Sequence, residues 1–392
     1  MPKVDIFTQK TIKYFQILNF ISTFATKMAG LYIHIPFCAS RCIYCGFYST
    51  TRLELRQRYV DAVCKEWEER KYELTEPIHT IYIGGGTPSQ LSKGQLAQLF
   101  ACFPVAEEVT LECNPDDVTP SFAAMLPSLP VNRISMGAQT FDDSRLRFLH
   151  RRHTAGQVPS AVKRLRDVGI KNISIDLMYG FPNETLADWQ RDIEAALALN
   201  VEHLSAYSLM YEEGTPLHRM LKKGEIEELE EEDSLAMYDV LIDRLAAAGY
   251  EHYEISNFAK AGKRSRHNSS YWQQTPYVGL GAAAHSYDGQ SRQWNISDVA
   301  AYIKGVEEKK SVVEERELLD ADTQYNDRVM LSLRTAEGLD LNTLSARHRE
   351  HCKALAGKFL DQGLLRESGS RLRLTRQGLF VSDMVMSELM WV

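Results

Sequence analysis

The chain has 392 residues, a formal net charge of −7 at pH 7, 44% hydrophobic residues and 25% charged residues. This ordinary globular composition argues against a disordered or fibrous protein, and the length suggests two or three domains or one large barrel with additions. The acidic balance argues against a nucleic-acid partner, and no apolar run approaches the roughly 18 residues of a transmembrane helix, so we expect no integral membrane protein.

Residues 1–28 differ from the rest of the chain in composition. They hold four lysines, one acidic residue and no arginine, unlike a typical transit peptide, and they lack the apolar core and cleavage site of a signal peptide. Met28 stands just before the first convincing strand. We therefore expect this extension to be dispensable or disordered, or to reflect a misassigned start.

From residue 29 to residue 250 short apolar runs alternate with longer amphipathic stretches. The pattern predicts six strands, at residues 31–35, 80–83, 108–112, 132–136, 172–177 and 203–208, and helices at 55–73, 91–100, 157–168, 186–199 and 234–248. Such βα units predict a parallel sheet with crossover helices. Polar and glycine-rich residues follow several of these strands, where α/β barrels place their sites. We predict an α/β fold, a partial (β/α)6 barrel similar to a TIM barrel, with its site at that end.

The pattern changes after residue 250. Residues 251–319 are predicted to form a region that connects two domains and holds the ligand site considered below, and residues 251–295 are rich in glycine and aromatic residues. Residues 320–392 predict helix, helix and strand, which is typical of a winged-helix-like α+β domain. This last segment holds ten Lys and Arg residues and ten Asp and Glu residues, a neutral balance that favours a lid or docking role over DNA binding.

Three of the seven cysteines, Cys38, Cys42 and Cys45, lie within eight residues in a C-x3-C-x2-C spacing. Three thiolates can bind three irons of a 4Fe-4S cluster and leave the fourth iron open. A structural zinc site needs a fourth ligand, and free thiols are the other alternative. The spacing favours the cluster, and the low, odd cysteine count favours a reducing compartment, the cytoplasm. The remaining cysteines are interpreted as packing residues: Cys64, Cys102, Cys113 and Cys352.

A glycine run, Gly84-Gly85-Gly86-Thr87-Pro88, follows the second predicted strand. Glycines let the backbone approach a ligand closely and offer it unpaired polar groups. The run is not a P-loop, because no Gly-Lys-Ser/Thr follows it. Taken alone, a tight turn is an equally good interpretation.

The cysteine spacing, with Tyr44 before the third cysteine and the glycine run on the next strand, resembles the radical S-adenosylmethionine (SAM) superfamily. This resemblance implies that SAM binds the open iron through its amino and carboxylate groups. It also implies that an electron from the reduced cluster can cleave SAM to a 5′-deoxyadenosyl radical, with the protein orienting and shielding the cofactor.

Further motifs narrow the resemblance. Tyr32-Ile-His-Ile-Pro-Phe-Cys38, Glu112-Cys-Asn-Pro, Ser135-Met-Gly-Ala-Gln139 and Ile175-Asp176-Leu-Met-Tyr-Gly are similar to segments of oxygen-independent coproporphyrinogen III oxidases (HemN) and of the related heme chaperone HemW family. The resemblance covers nearly all of the chain from residue 30 onward. It implies that the following residues bind SAM: Tyr32, Tyr44, Gly85, Gly86, Thr87, Glu112, Gln139, Arg151 and Asp176. For Arg151, which lies in a basic stretch, a solvated helix charge is the alternative.

Two features separate these branches. The oxidases have a fourth cysteine where this chain has Phe47, and a long N-terminal segment that residues 1–28 do not resemble. The segment His267-Asn-Ser-Ser-Tyr271-Trp272 resembles the signature of the heme chaperone branch, which implies that His267 ligates heme iron while the aromatic rings stack on the porphyrin. The alternative is that His267 caps a turn and the aromatics belong to the core. His34 and His285 are interpreted as structural residues.

The resemblance therefore implies a heme chaperone that carries a 4Fe-4S cluster and SAM, binds heme and delivers it to apo-hemoproteins such as respiratory enzymes. Its expected location is the cytoplasm, with peripheral visits to the membrane, and a homodimer is compatible with the sequence. The alternative is an enzyme, a coproporphyrinogen III oxidase that decarboxylates its substrate to protoporphyrinogen IX. The sequence leaves open whether SAM is turned over. A nucleic-acid-binding regulator is disfavoured by the neutral C-terminal segment.

Overall fold

The computed structural model describes residues 28–392. Apart from Met28, the predicted N-terminal extension lies outside the described residues. Within them, six parallel strands occur in chain order and form the centre of one mixed sheet of 12 strands. These strands are β1 (Ala29–Ile35), β2 (Ile78–Gly85), β3 (Glu108–Cys113), β4 (Arg133–Gln139), β5 (Ile173–Tyr179) and β6 (His203–Ser208).

Helices cross between the parallel strands and cover the outer face of the sheet. They are α1 (Arg56–Arg70), α2 (Lys93–Cys102), α3 (Pro120–Met125), α4 (Asp143–Phe148), α5 (Gln157–Asp167), α6 (Leu186–Ala198), α7 (Pro216–Lys222) and α8 (Glu231–Ala247). The predicted partial barrel is confirmed, and the predicted strands lie within the observed ones to a few residues. The prediction missed the short helices α3, α4 and α7, which have too few residues to show a clear amphipathic period.

The sheet does not end at β1 and β6. Beyond β6 it continues through β8 (Asn257–Ala259) to β7 (Glu251–Glu254), both antiparallel. Beyond β1 it continues through a parallel strand, β9 (Tyr277–Leu280), to antiparallel strands β10 (His285–Tyr287), β11 (Ser291–Asn295) and β12 (Val313–Leu318). The segment predicted to connect two domains thus supplies both edges of the barrel sheet, together with helices α9 (Arg266–Trp272) and α10 (Val299–Glu307).

The main hydrophobic core lies between the sheet and the crossover helices. In β1 the side chains alternate: Leu31, Ile33 and Ile35 are fully buried against the helices, whereas Tyr32 and His34 point to the opposite, inner face. The same alternation runs through the neighbouring parallel strands. The outer face of the sheet is therefore stabilised by apolar packing against the helices, and the inner face carries polar and aromatic side chains.

The C-terminal segment has a separate core around Val329, Leu333, Phe359 and Leu372. It contains helices α11 (Ala321–Leu333) and α12 (Ala346–Asp361), a three-stranded sheet in the order β13-β15-β14, and two final helices. The strands are β13 (Leu339–Asp340), β14 (Leu365–Ser368) and β15 (Arg371–Leu374), and the helices are α13 (Arg376–Phe380) and α14 (Ser382–Leu389). The predicted helix, helix and strand are present, and the prediction missed the last two helices. No helix among residues 28–392 is long and apolar enough to cross a bilayer.

Candidate functional site

The inner face of the partial barrel encloses a hollow lined by polar side chains. Tyr32, Glu112 and Asp176 lie deep within the protein and yet keep part of their surface accessible. Tyr207, near the end of β6, is 42% exposed although protein surrounds its hydroxyl. Side chains that are both deep and accessible border an internal space, so the hollow can admit a ligand at the carboxyl ends of the strands.

The three clustered cysteines lie on the loop that leaves β1 at this end of the barrel. Backbone hydrogen bonds hold the loop: Cys38 N–H donates to the Thr50 carbonyl (2.9 Å), and Ile43 N–H donates to the Leu149 carbonyl (3.3 Å). Ile43 also packs into a small hydrophobic cluster with Leu149, Met178, Phe181, Leu209 and Leu217. The loop is thus fixed to three different βα connections.

The three thiols form one partly buried set of donors on this loop. Cys38, Cys42 and Cys45 are partly buried, and burial raises the pKa of Cys38 and of Cys45, with each neighbouring thiol adding to the increase. Nevertheless, no three His, Cys, Asp or Glu side chains among residues 28–392 converge on one point that a single ion could occupy. Three thiols on one loop are donors that can bind three irons of a 4Fe-4S cluster, so the chemistry of the donor set fits that group.

Tyr44 and Arg151 adjoin the same thiols. Burial raises the pKa of Tyr44 well above its ordinary value, and the neighbouring Arg151 guanidinium opposes the increase. Arg151 donates from Nη1 to Cys42 Sγ (3.7 Å) and from Nη2 to Asn114 Oδ1 and to the Gly137 carbonyl, both at 2.6 Å. Arg151 is therefore a fixed charge beside the cysteine loop, and the alternative of a solvated helix charge is wrong.

The glycine run turns at the end of β2, directly beside the loop. Gly85 has φ +111°, a conformation that favours glycine, and a Cβ there would lie 2.6 Å from the His34 ring. A Cβ on Gly86 would lie 2.7 Å from the Pro36 carbonyl carbon, and Gly86 N–H donates to the Ile35 carbonyl (2.8 Å). The run therefore needs glycine to pack against β1.

Thr87 joins the glycine run to the cysteines. Its hydroxyl lies 3.5 Å from Cys38 Sγ and accepts a hydrogen bond from Asn114 Nδ2 at 3.4 Å. Because Asn114 also contacts Arg151, one chain of polar contacts runs from Cys38 to Cys42 across the site. The sequence prediction did not include Asn114 as a site residue, although it is the third residue of the quoted Glu112-Cys-Asn-Pro motif.

Gln139 occupies an unusual backbone position at the end of β4. The pairing with β5 shifts between Gly137 and Gln139, and Gln139 has φ +67° although it is not glycine. A bulge of this kind re-aims a side chain, and strained residues concentrate at functional sites. A Cβ on Gly137 would lie 2.6 Å from Gln139 Nε2 and 3.2 Å from Arg151 Nη2. The absent side chain at Gly137 thus makes room for both predicted SAM-binding residues.

The hollow also contains two carboxyl groups, of Glu112 and Asp176, with the Arg133 guanidinium near both. Burial raises the pKa of Glu112 to about 7, while hydrogen bonds from the Tyr82 hydroxyl (2.6 Å) and Gly85 N–H (3.1 Å) oppose the increase. Burial also raises the pKa of Asp176. Arg133 is 1% exposed, lowers the pKa of both groups, and has no hydrogen-bond partner at Nε or Nη1 among the described residues. The prediction missed Arg133, which no motif marks.

His267 lies under this hollow, between β2 and α9. It is fully buried, its Nδ1 is hydrogen-bonded to the Thr80 hydroxyl (2.8 Å), and its Nε2 to the Tyr271 hydroxyl (2.7 Å). Burial lowers its pKa to about 3. In this conformation His267 offers neither ring nitrogen to an iron. His267 lies inside α9, which Ser265 caps, so it does not cap a turn, and Tyr271 and Trp272 are only partly buried. Heme ligation by His267 remains a prediction that requires one of its ring hydrogen bonds to break.

Comparison with known proteins extends these similarities along the chain. Residues 32–196 match the Radical SAM superfamily, and residues 319–381 match the HemN C-terminal domain. The chain is 34% identical over 371 residues to the heme chaperone HemW of Bacillus subtilis, which covers 91% of this chain and 98% of the relative. It is 35% identical over 373 residues to the heme chaperone HemW of Mycobacterium tuberculosis, covering 92% and 94%. Coproporphyrinogen III oxidase (HemN) from Escherichia coli shares the fold, with a TM-score of 0.81, 95% and 93% coverage and 21% identity.

Proposed function

The chain belongs to the heme chaperone HemW family, and on that premise we propose that it binds heme and delivers it to apo-hemoproteins such as respiratory enzymes. The observation that carries the proposal is the full-length similarity, 34% identity across 98% of the Bacillus subtilis heme chaperone. We place this activity in the cytoplasm, with peripheral contact to membranes that hold the acceptors. The chain would act as a monomer or as a homodimer.

The Radical SAM match implies a 4Fe-4S cluster and SAM. We propose that Cys38, Cys42 and Cys45 ligate the cluster, since all three lie on one loop that backbone hydrogen bonds fix and thiolates are the donors that such a cluster takes. When bound, the cluster with SAM supplies one-electron chemistry. The remaining residues hold SAM in place and limit access of water.

The SAM contacts follow from the charges and backbone groups at the hollow. Arg151 suits a carboxylate, because its guanidinium is always charged and its position is fixed by Asn114 and Gly137. Glu112 and Asp176 suit hydroxyl or ammonium donors. The others provide backbone groups or walls: Tyr32, Tyr44, Gly85, Gly86, Thr87 and Gln139.

An iron and absorbance measurement tests the cluster assignment. We expect Cys38→Ala, reconstituted anaerobically, to lose iron and the broad visible absorbance of the cluster, because a thiolate ligand is missing. Cys102→Ala is the matched control, since Cys102 lies at the end of α2, outside the cysteine loop, where its thiol donates to the Gln98 carbonyl (3.3 Å). A cluster of normal iron content in Cys38→Ala contradicts the assignment.

Anaerobic heme titration tests the function itself. We expect the cluster-reconstituted protein to bind heme saturably near one equivalent and to transfer it to an apo-hemoprotein. The same preparation, incubated with coproporphyrinogen III, SAM and a reductant, should form no protoporphyrinogen IX, because Phe47 stands where the oxidases have a fourth cysteine. Repeated turnover to protoporphyrinogen IX without saturable heme binding would favour the oxidase and overturn the proposal.

A further inference from the structure

A cavity of about 250 Å³ lies where the C-terminal segment meets the β7–β8 edge of the barrel sheet. Residues of α8 and β7 line it from the barrel, and residues at the end of α11 and in β14, β15 and α13 line it from the C-terminal segment. None of the predicted cluster or SAM residues lines it. Of the described residues that do, one is acidic, Glu254, and four are arginines: Arg334, Arg366, Arg373 and Arg376. The walls of this cavity therefore carry an excess of positive charge.

Two of the four arginines have carboxylate partners. Arg334 pairs with Glu254 at 3.1 Å from Nη2, and its guanidinium also lies over the Trp272 ring, 5.2 Å from the centroid. Arg376 donates from Nε to Asp239 (2.7 Å) and from Nη1 to Asp243 (2.6 Å), both on α8. The carboxylates at the cavity are thus held by these two arginines.

Arg366 and Arg373 have no such partners. They lie directly opposite each other in the antiparallel pair β14–β15. Opposite side chains on one face of such a pair have Cβ atoms about 4.5–5.5 Å apart, and like charges in this position are destabilising. Neither guanidinium forms an ion pair among residues 28–392, whereas the neighbouring Arg371 pairs with Asp340. Two adjacent positive charges therefore face the cavity without a counter-charge.

The side chain of Arg373 is held in place. Its Nε donates to the Glu337 carbonyl (3.2 Å). Gly338 has φ +69°, and a Cβ there would lie 2.5 Å from Arg373 Cγ, so the absent side chain at 338 makes room for the arginine. A guanidinium fixed through Nε keeps its two Nη groups available to a ligand.

Two neighbouring guanidiniums favour one class of anion. A carboxylate has two oxygens and satisfies one planar guanidinium, whereas a phosphoryl group has three strong acceptor oxygens and can accept hydrogen bonds from two guanidiniums at once. The cavity is smaller than the roughly 300–1,000 Å³ of sites for drug-sized ligands. Its volume suits a phosphate or a small phosphate ester, and it is too small to enclose a porphyrin.

We propose that Arg366 and Arg373 bind a phosphoryl group, as free phosphate or as a small phosphate ester, in the cavity between the barrel sheet and the C-terminal segment. The anion neutralises the two opposed charges. Because both hydrophobic cores contribute to the cavity walls, the bound anion stabilises the contact between them. The inference goes beyond heme delivery and does not depend on it.

Calorimetric titration of the cluster-reconstituted chain with inorganic phosphate, at constant ionic strength in chloride, tests this site. We expect saturable binding near one equivalent. Arg366→Gln and Arg373→Gln should each bind phosphate at least about tenfold more weakly, because each loses charge-assisted hydrogen bonds. Glycerol phosphate in place of phosphate distinguishes the two sources, since the better ligand of the two identifies the ester or the free anion. Succinate should bind more weakly than either, and tighter binding of succinate overturns the phosphoryl assignment.

Denaturant unfolding supplies a second measurement. Without phosphate, Arg366→Gln should unfold at the wild-type midpoint or above it, because it removes one of two opposed like charges. Phosphate should raise the midpoint of the wild type and leave that of Arg366→Gln unchanged.

Arg349→Gln is the matched control, since Arg349 lies on α12, outside the cavity lining, and its loss removes the same charge. It should bind phosphate as the wild type does. The inference is overturned if the wild type does not bind phosphate saturably, if both cavity variants bind it normally, or if Arg349→Gln weakens it equally. Heme titration of Arg366→Gln should match the wild type, so failure of this site and failure of the heme-carrying function are read separately.

Discussion

At the residue scale, the balance of charge in the hollow decides how the site responds to pH. Glu112 accepts hydrogen bonds from Tyr82 and Gly85, which favour its carboxylate, but burial outweighs them and the pKa rises to about 7. Arg133 and Asp176 act in opposite directions on the same group. Near neutral pH, Glu112 is therefore poised between its neutral and charged forms.

Because the pKa of Glu112 lies near neutral pH, we predict that SAM binding depends on pH. A carboxylate accepts hydrogen bonds from hydroxyl or ammonium groups better than a neutral carboxyl does, so SAM affinity should rise about tenfold between pH 6 and pH 8 as Glu112 ionises. Since the folded-state pKa is raised, the stability of the ligand-free protein should fall as pH rises from about 4.5 through 7, and SAM should offset that loss. Calorimetric titration of wild type and Glu112→Gln at several pH values measures the SAM affinity, and denaturant unfolding at the same pH values measures the stability. An equal pH dependence in the variant would show that another group titrates.

The residues that the sequence identified are those that belong to local motifs. Cys38, Thr87 and Glu112 stand in contiguous segments whose spacing encodes chemistry. Arg133 could not be recognised from the sequence, because a single arginine at the start of a strand belongs to no motif. Only the folded barrel brings it beside two carboxyl groups from other strands.

At the element scale, the end of β2 combines a turn, a ligand-facing backbone and a tight contact with β1. Gly85 has positive φ, and its missing side chain leaves room for the His34 ring. The backbone amide of Gly85 also holds Glu112. A single backbone conformation therefore sets the positions of two neighbouring strands.

Gly85→Ala should destabilise the protein by more than about 1 kcal/mol, because it adds backbone strain to a clash with His34, and it should abolish SAM binding. Gly94→Ala is the matched control. Gly94 lies in α2, and a Cβ there would meet only Ser92 Oγ at 4.0 Å, so alanine should stabilise by about 0.5–1 kcal/mol. Chemical denaturation with a SAM-binding assay distinguishes the two. A Gly85→Ala protein that unfolds at the wild-type midpoint would refute the strain argument.

Strand and helix positions were predictable where a hydrophobic period was long enough. The strand predicted at 203–208 coincides with β6, and the helix predicted at 157–168 differs from α5 by one residue. The edge strands β9 to β12 were not predictable as parts of the barrel sheet. They join that sheet only through the pairing of β9 with β1, which links residues more than 200 positions apart, and only tertiary contacts specify such a register.

At the scale of the whole molecule, two hydrophobic cores are joined through a buried ion pair. Arg334 at the end of α11 donates to Glu254 from Nε (3.2 Å) and Nη2 (3.1 Å), and the Glu254 side chain is 1% exposed. Ser256 N–H and Asn257 Nδ2 complete the bonds to that carboxylate. Arg334 of the C-terminal segment thus neutralises the buried carboxylate of Glu254 at the β7–β8 edge of the barrel sheet.

Removing one partner of this pair should therefore weaken the whole chain. Arg334→Ala leaves Glu254 buried without its cation and should lower the free energy of unfolding by about 3 kcal/mol, whereas adding Glu254→Gln should recover part of that loss. Arg376→Ala is the control, because Arg376 pairs with Asp239 and Asp243 while all three remain largely exposed, and its loss should be much smaller. A double-mutant cycle on denaturant unfolding measures the coupling. If Arg334→Ala and Glu254→Gln were simply additive, the buried pair would be incidental to the union of the two cores, and the other contacts between them would hold them together.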